Sequence, residues 1–120
     1  MAQLLRNTAK ARNARSVQFR PVNARVTQDL GTGFRRLVFP PVTIPGHSIR
    51  QIVMHAGTGR VAISGGWSVN LLVSAYATDS YPQSEESWVL YIDNPNSSSI
   101  IVTPYLISKS RTLTITRKNS

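Results

Sequence analysis

The sequence predicts an all-β protein: a compact antiparallel β-sandwich, jelly-roll-like or Ig-like, with an extended basic N-terminal arm. Three observations carry this expectation. From Phe34 onward, short runs rich in Val, Ile, Thr, Trp and Tyr alternate with clusters of Gly, Pro, Asn and Ser, which is the spacing of strands and turns and not the 3.6-residue period of a helix. The 120 residues are 41% hydrophobic, enough for one core and with little room for a second. The net charge of +9 is also unevenly spread: residues 1–36 hold eight basic and one acidic residue, residues 37–106 two basic and four acidic, and residues 107–120 four basic and none acidic. A slightly acidic centre between two cationic ends divides the chain into an arm, 1–33, and a sandwich domain, 34–120, that includes a basic C-terminal strand.

In the arm, Arg6, Lys10, Arg12, Arg15, Arg20 and Arg25 recur among Asn, Ala, Thr, Ser and Gln. Residues 2–15 have the composition for a helical turn or two when bound, but a helix this short is marginal alone, and Pro21 ends it. From Ser16 the intermittent apolar residues Val17, Phe19, Val22 and Val26 read as anchors of an extended strap. Phe34–Phe39 is the first strand, stopped by Pro40-Pro41, and Val42–Ile44 is a short second, closed by Pro45-Gly46. Ser48–His55 places Ile49 and Val53 on one face and Arg50, Ile52 and Met54 on the other. Gly57-Thr-Gly59 turns into Arg60–Ser64, and Gly65-Gly66 breaks the run before Trp67–Val69.

Leu71–Ala77 follows, and Thr78–Glu86, with three of the central acidic residues, reads as a long exposed loop. Ser87–Ile92 and Ser99–Ile107 read as a hairpin joined by the turn formers of 93–98, with Trp88, Leu90 and Ile92 on one face. Pro104 has no amide donor and points to a sheet edge or a bulge. Thr112–Arg117 alternates threonine with Leu113 and Ile115, as a last strand with one wet face does. Strands this short over a core this small gain from assembly with copies of the same chain.

No cysteine is present, which excludes disulfides, thiolate nucleophiles and thiolate zinc sites. No segment has the length of a membrane span, and the N-terminus lacks a secretory apolar stretch, so a soluble protein made in the cytoplasm is expected. His47 and His55 have no partner set that makes either a ligand or a base. Glu85-Glu86 could form a carboxylate pair with Asp79 or Asp93, yet adjacent acids in a polar loop read as solvated. Gly57-Thr-Gly-Arg60 and Gly65-Gly66 lack the Gly-Lys-Ser/Thr ending of a nucleotide loop and read as turn glycines. Trp67, Tyr76, Tyr81, Trp88, Tyr91 and Tyr105 are mainly packing residues, with Trp67 and Tyr81 the candidates for stacking on a glycan. No catalytic residue, cofactor site or metal site is expected.

From Arg60 on, Ile63-Ser-Gly-Gly-Trp67-Ser-Val69, Ser80-Tyr-Pro82, Ser87-Trp88-Val89, Asn94–Ser99 and Ile101-Val-Thr-Pro-Tyr105-Leu-Ile107 follow one another in order. Over about 45 residues this order resembles a small β-sandwich module of bacteriophage virion and surface proteins, without the cysteines that many such modules carry. The resemblance implies virion architecture and not catalysis.

The functional expectation is therefore a non-enzymatic viral structural protein located in the virion, a capsid decoration or cement protein whose arm straps neighbouring subunits together. Strand addition at a sheet edge suits such an arm, with Val17, Phe19 and Val22 filling pockets and Arg20, Arg25, Arg35 and Arg36 meeting carboxylates. The partner-binding set is Arg6, Lys10, Arg12, Arg15, Val17, Phe19, Arg20, Val22, Arg25, Arg35 and Arg36. The partners are other capsid or virion subunits and copies of the chain itself, a trimer among the options, with no membrane. Two alternatives stand beside it: a capsid protein whose basic arm binds packaged nucleic acid, and a carbohydrate-binding module for host attachment.

Overall fold

The computed structural model describes residues 15–70 and 75–111, and through them the chain passes back and forth between two β-sheets. In chain order it forms β1 (Arg15–Phe19), a 3-10 turn (Pro21–Asn23), β2 (Val26–Gly31), β3 (Phe34–Val38), β4 (Val42–Ile44), β5 (Ser48–His55), β6 (Arg60–Val69), β7 (Tyr76–Ser84), β8 (Ser87–Asn94) and β9 (Ile100–Ser110). The first sheet has the order β1-β5-β8-β7, and the second β2-β3-β9-β4 with β6 also on β9. All pairings are antiparallel except β1 with β5. That parallel pair needs a crossover, and the whole passage β2-β3-β4 through the other sheet supplies it.

Alternation decides what faces inward. Phe19, Ile52, Met54, Leu90 and Ile92 from the first sheet meet Leu37, Phe39, Ile44, Ile100, Val102 and Leu106 from the second in one buried cluster. Two sheets sharing one apolar core fit a β-sandwich, as expected. The assignments of Ile52 and Met54 to one face of β5, and of Trp88, Leu90 and Ile92 to one face of β8, agree with the cross-strand register, in which Ile52 lies opposite Leu90 and Met54 opposite Trp88.

Five expectations are corrected. First, the arm boundary at residue 33 falls inside a tight turn between two paired strands. From Arg15 on, the chain lies in both sheets: Val17 is opposite Ile52 and Phe19 opposite Met54, and β2 pairs with β3. The turn Gly31-Thr32-Gly33 has φ of 90°, 54° and 90°, a conformation that glycine adopts without penalty, and the Asp29 carboxylate accepts the Gly31 amide at 2.9 Å. Second, β8 and β9 are not a hairpin, because β8 pairs with β5 and β7 while β9 pairs with β3, β4 and β6. The segment 95–99 arches from one sheet to the other, held by the buried Asn94, whose amide nitrogen donates to the carbonyls of Ile44, Pro45 and Ser98 at 2.9–3.1 Å.

Third, Thr78–Ser84 is not loop but most of β7, an exposed edge strand turned back at Glu85-Glu86 so that Ser84 lies opposite Ser87. Its polar composition reflects a wet edge, not the absence of pairing. Fourth, Pro104 is in the central strand of its sheet. Its carbonyl accepts the Phe39 amide at 2.9 Å, so its missing donor costs a ladder bond only at the Phe39–Pro41 interruption between β3 and β4.

Fifth, Gly65-Gly66 does not interrupt a strand, since β6 runs unbroken through both. A Cβ on Gly65 would stand 2.9 Å from the Met54 methyl and collide with the Trp88 ring, while one on Gly66 would collide with the ring and hydroxyl of Tyr105. One glycine lets the sheets approach, and the other lets Tyr105 lie flat on the outside. The expected strand Thr112–Arg117, the first part of Leu71–Ala77 and residues 2–14 lie outside the described residues.

Candidate interaction surfaces

Of the expected partner-binding residues, Arg6, Lys10 and Arg12 lie outside the described residues. Arg15 begins β1 and is exposed, and Val17 packs on the core. Phe19 is buried, its ring stacked on Phe39 at 5.1 Å between centroids, so it fills its own core and not a pocket on a neighbour. Arg20 precedes the 3-10 turn, its amide donating to the Asn23 side chain at 2.8 Å. Val22 stands 87% exposed. Arg25 is exposed while its amide donates to the Val38 carbonyl at 2.8 Å. Arg35 and Arg36, adjacent in β3, point to opposite faces of the second sheet. Trp67 faces the core, opposite Pro104, whereas Tyr81 is exposed on the outer face of the first sheet, opposite Val89. The two candidate stacking residues thus do not share a surface.

Arg35 points inward at the open end of the sandwich, and there it meets Arg60 from the start of β6. Both belong to the face that carries Leu37, Ala62 and the fully buried Ser108, which lies opposite Arg35 in one pairing and opposite Ala62 in the other. Arg60 donates from Nε to the Ser108 hydroxyl at 2.9 Å and from one Nη to the Gly33 carbonyl at 2.8 Å. Arg35 donates from one Nη to the Ala56 carbonyl at 3.3 Å, and its buried Nε has no acceptor. Burial, then the neighbouring Arg35 charge, lowers the Arg60 pKa from its ordinary value, and Asp29 opposes that shift. These groups border an open cleft of about 430 Å³, lined also by Thr27, Thr32 and Phe34. Reading the sequence singles out Arg35 but not Arg60. The available signal was a cation two residues before Ala62 on an inward-facing alternation.

The outer face of the second sheet is the larger feature. Cross-strand rows run Val26–Val38–Tyr105–Gly66 and Gln28–Arg36–Ile107–Ser64, with Phe34 and Ile101 on the same side. Val26 is 47% and Ile101 40% exposed. Arg36 and Lys109 flank this surface, the Lys109 ammonium lying 5.4 Å from the centre of the Phe34 ring. No acidic residue belongs to these rows.

Elsewhere, the His55 Nε2–H donates to the Gln18 side-chain oxygen at 2.8 Å across the β1–β5 pair. Burial first and the Arg20 charge second lower its pKa from the ordinary 6.5. Glu85 pairs with Arg111 at the turn after β7. Among the described residues there is no group of three or more His, Asp or Glu side chains placed to hold a metal ion, and no helix is long and apolar enough to cross a membrane.

In comparison with known families, the pattern of the family described as YjdH matches residues 15–108, most of the chain, and the chain belongs to that family. The match begins at the first residue of β1 and ends two residues before the end of β9, and so spans both sheets. No curated protein and no solved structure matches it.

Proposed function

We propose that this member of the YjdH family is a non-enzymatic virion structural protein of the capsid decoration or cement kind, a jelly-roll-like or Ig-like sandwich that binds a neighbouring protein subunit. The observation that carries the docking role is the outer face of the second sheet. An antiparallel sheet with one face on the core ordinarily presents a polar second face to water, yet here Val26, Phe34, Val38, Ile101, Tyr105 and Ile107 stand on it. Contiguous apolar surface rimmed by polar groups is the character of a protein interface. Its cationic flanks, Arg36 and Lys109, select an occupant with carboxylates around an apolar centre. They disfavour a second copy docked by the same face, because like charges would then meet. The phage-module resemblance of residues 60–107 supports the virion assignment.

This reading shifts the site of attachment from the strap to the sheet. Phe19 and Val17 are engaged at home, which leaves residues 15–33 no role as a leash, while the basic residues Arg6, Lys10 and Arg12 remain as charges that steer encounter with an acidic partner.

Particle retention tests it. Virions purified on a density gradient carry the wild-type chain at a fixed copy number, and the Val26→Asp/Ile101→Asp variant, folded by circular dichroism, loses at least about tenfold in retention, the cost of burying charge in an apolar contact. A chain that never co-sediments with particles overturns the virion assignment. A double variant retained as well as wild type overturns the docking face.

A further inference from the structure

We infer that the cleft between the β2–β3 turn and the start of β6 is a binding site for a singly charged oxyanion, a phosphate or carboxylate group, held between Arg35 and Arg60. This site and the docking face diverge at β3: Phe34 borders both, but the Arg35 and Arg36 side chains leave opposite faces of the sheet.

Three features of the cleft lead to this conclusion. The first is its charge. Two guanidinium groups face one carboxylate, Asp29, and Asp29 forms no ion pair with either among the described residues, its Oδ1 being engaged by the Gly31 amide. The cleft therefore carries one positive charge in excess, matched by one negative charge. The second is preorganisation. Ser108 and Gly33 hold Arg60, and Ala56 holds Arg35, so the guanidiniums are oriented before any ligand arrives, and the remaining Nη of each has no protein acceptor among the described residues. Planar forks fixed in this way suit the paired oxygens of a carboxylate or phosphate. The third is electrostatic: burial, and after it the Arg35 charge alongside, weaken the hold of Arg60 on its proton. An anion between them relieves the repulsion. The volume of about 430 Å³ admits a carboxylate or a phosphodiester with a small organic group, and the Thr27 hydroxyl on the lining offers a further donor.

Nuclear magnetic resonance on the full chain tests the inference, with inorganic phosphate and acetate as probes and sodium chloride at matched ionic strength as the reference. Saturable shifts are expected at the Arg35 and Arg60 Nε–H signals and the Gly33 amide, with millimolar affinity for at least one of the two oxyanions. The stronger arm identifies phosphate or carboxylate as the preferred group. Asp29→Asn keeps the acceptor for Gly31 and removes the competing charge, so it tightens binding roughly threefold, as one charge acting through a solvated gap does. Arg35→Gln abolishes saturation. Should Arg60→Gln fail to fold through loss of its bond to Ser108, Arg35→Gln and Asp29→Asn still decide the matter. Shifts that are linear and equal to those in chloride overturn the site, as does saturable binding unchanged in both Arg35→Gln and Asp29→Asn.

Discussion

Replacing Phe19 by alanine asks whether the segment before the 3-10 turn belongs to the fold or waits for a partner. The side chain is 8% exposed and its ring lies 5.1 Å from that of Phe39 with 5° between the planes. Removing a buried phenylalanine costs about 3–5 kcal/mol, of which the ring pair accounts for roughly 0.5–1.5 kcal/mol. Because β1 is an edge strand that can sag into the vacated space, the lower end applies, about 3 kcal/mol. In a domain of this size that lowers Tm by about 12 °C or more. Urea unfolding followed by Trp67 and Trp88 fluorescence reads the loss as a lower midpoint at unchanged slope. Trypsin supplies a local measure, with faster cleavage after Arg15 and Arg25 in the variant. Val22→Ala is the control: at 87% exposure it changes stability by no more than about 0.5 kcal/mol. If the Phe19 and Val22 variants are equally stable, β1 is not part of the core and the reasoning fails.

Asn94→Ala removes a buried amide that donates to three backbone carbonyls and accepts from the Asn96 amide at 3.0 Å. With those buried groups unmet it loses about 2–4 kcal/mol in the same urea assay, and a loss under about 1 kcal/mol would show that the 95–99 arch does not depend on it. Acidification should destabilise the protein through His55. Its native pKa lies below the unfolded 6.5, so between those two values the unfolded chain binds more protons. The associated stability is fully present above 6.5, declines as the pH falls through that value, and levels off below the native pKa. Calorimetry across this window shows the slope for wild type, and His55→Gln, which keeps a hydrogen-bonding partner for Gln18, flattens it. An unchanged slope in that variant would assign the dependence to another group.

How far the molecule could be read without coordinates follows from what a two-residue period encodes. Alternation tells which side chains share a face, and so the grouping of Ile52 with Met54 and of Trp88 with Leu90 and Ile92, the all-β class and the turn at Gly57-Thr-Gly59 were legible from residue types and spacing. Periodicity does not say which strand lies beside which, because that choice rests on contacts between residues far apart in the chain. The turn formers of 93–98 reverse the chain equally well within a sheet or between two. Only the folded protein sends β9 to the second sheet, where a central strand tolerates Pro104 because the Phe39–Pro41 gap stands opposite. Polar β7 looked like loop because an edge strand needs backbone partners on one side alone and few apolar side chains. The basic, sparsely apolar start of the chain looked like an arm, and it took Phe39, brought across from the other sheet, to make a core residue of Phe19. Arg35 and Arg60, 25 positions apart in the sequence, become neighbours only because β3 and β6 flank the same strand. The composition settled the all-β class and which side chains of a strand share a face; long-range packing decided which face turned inward and which strands became partners, and with them which charges meet.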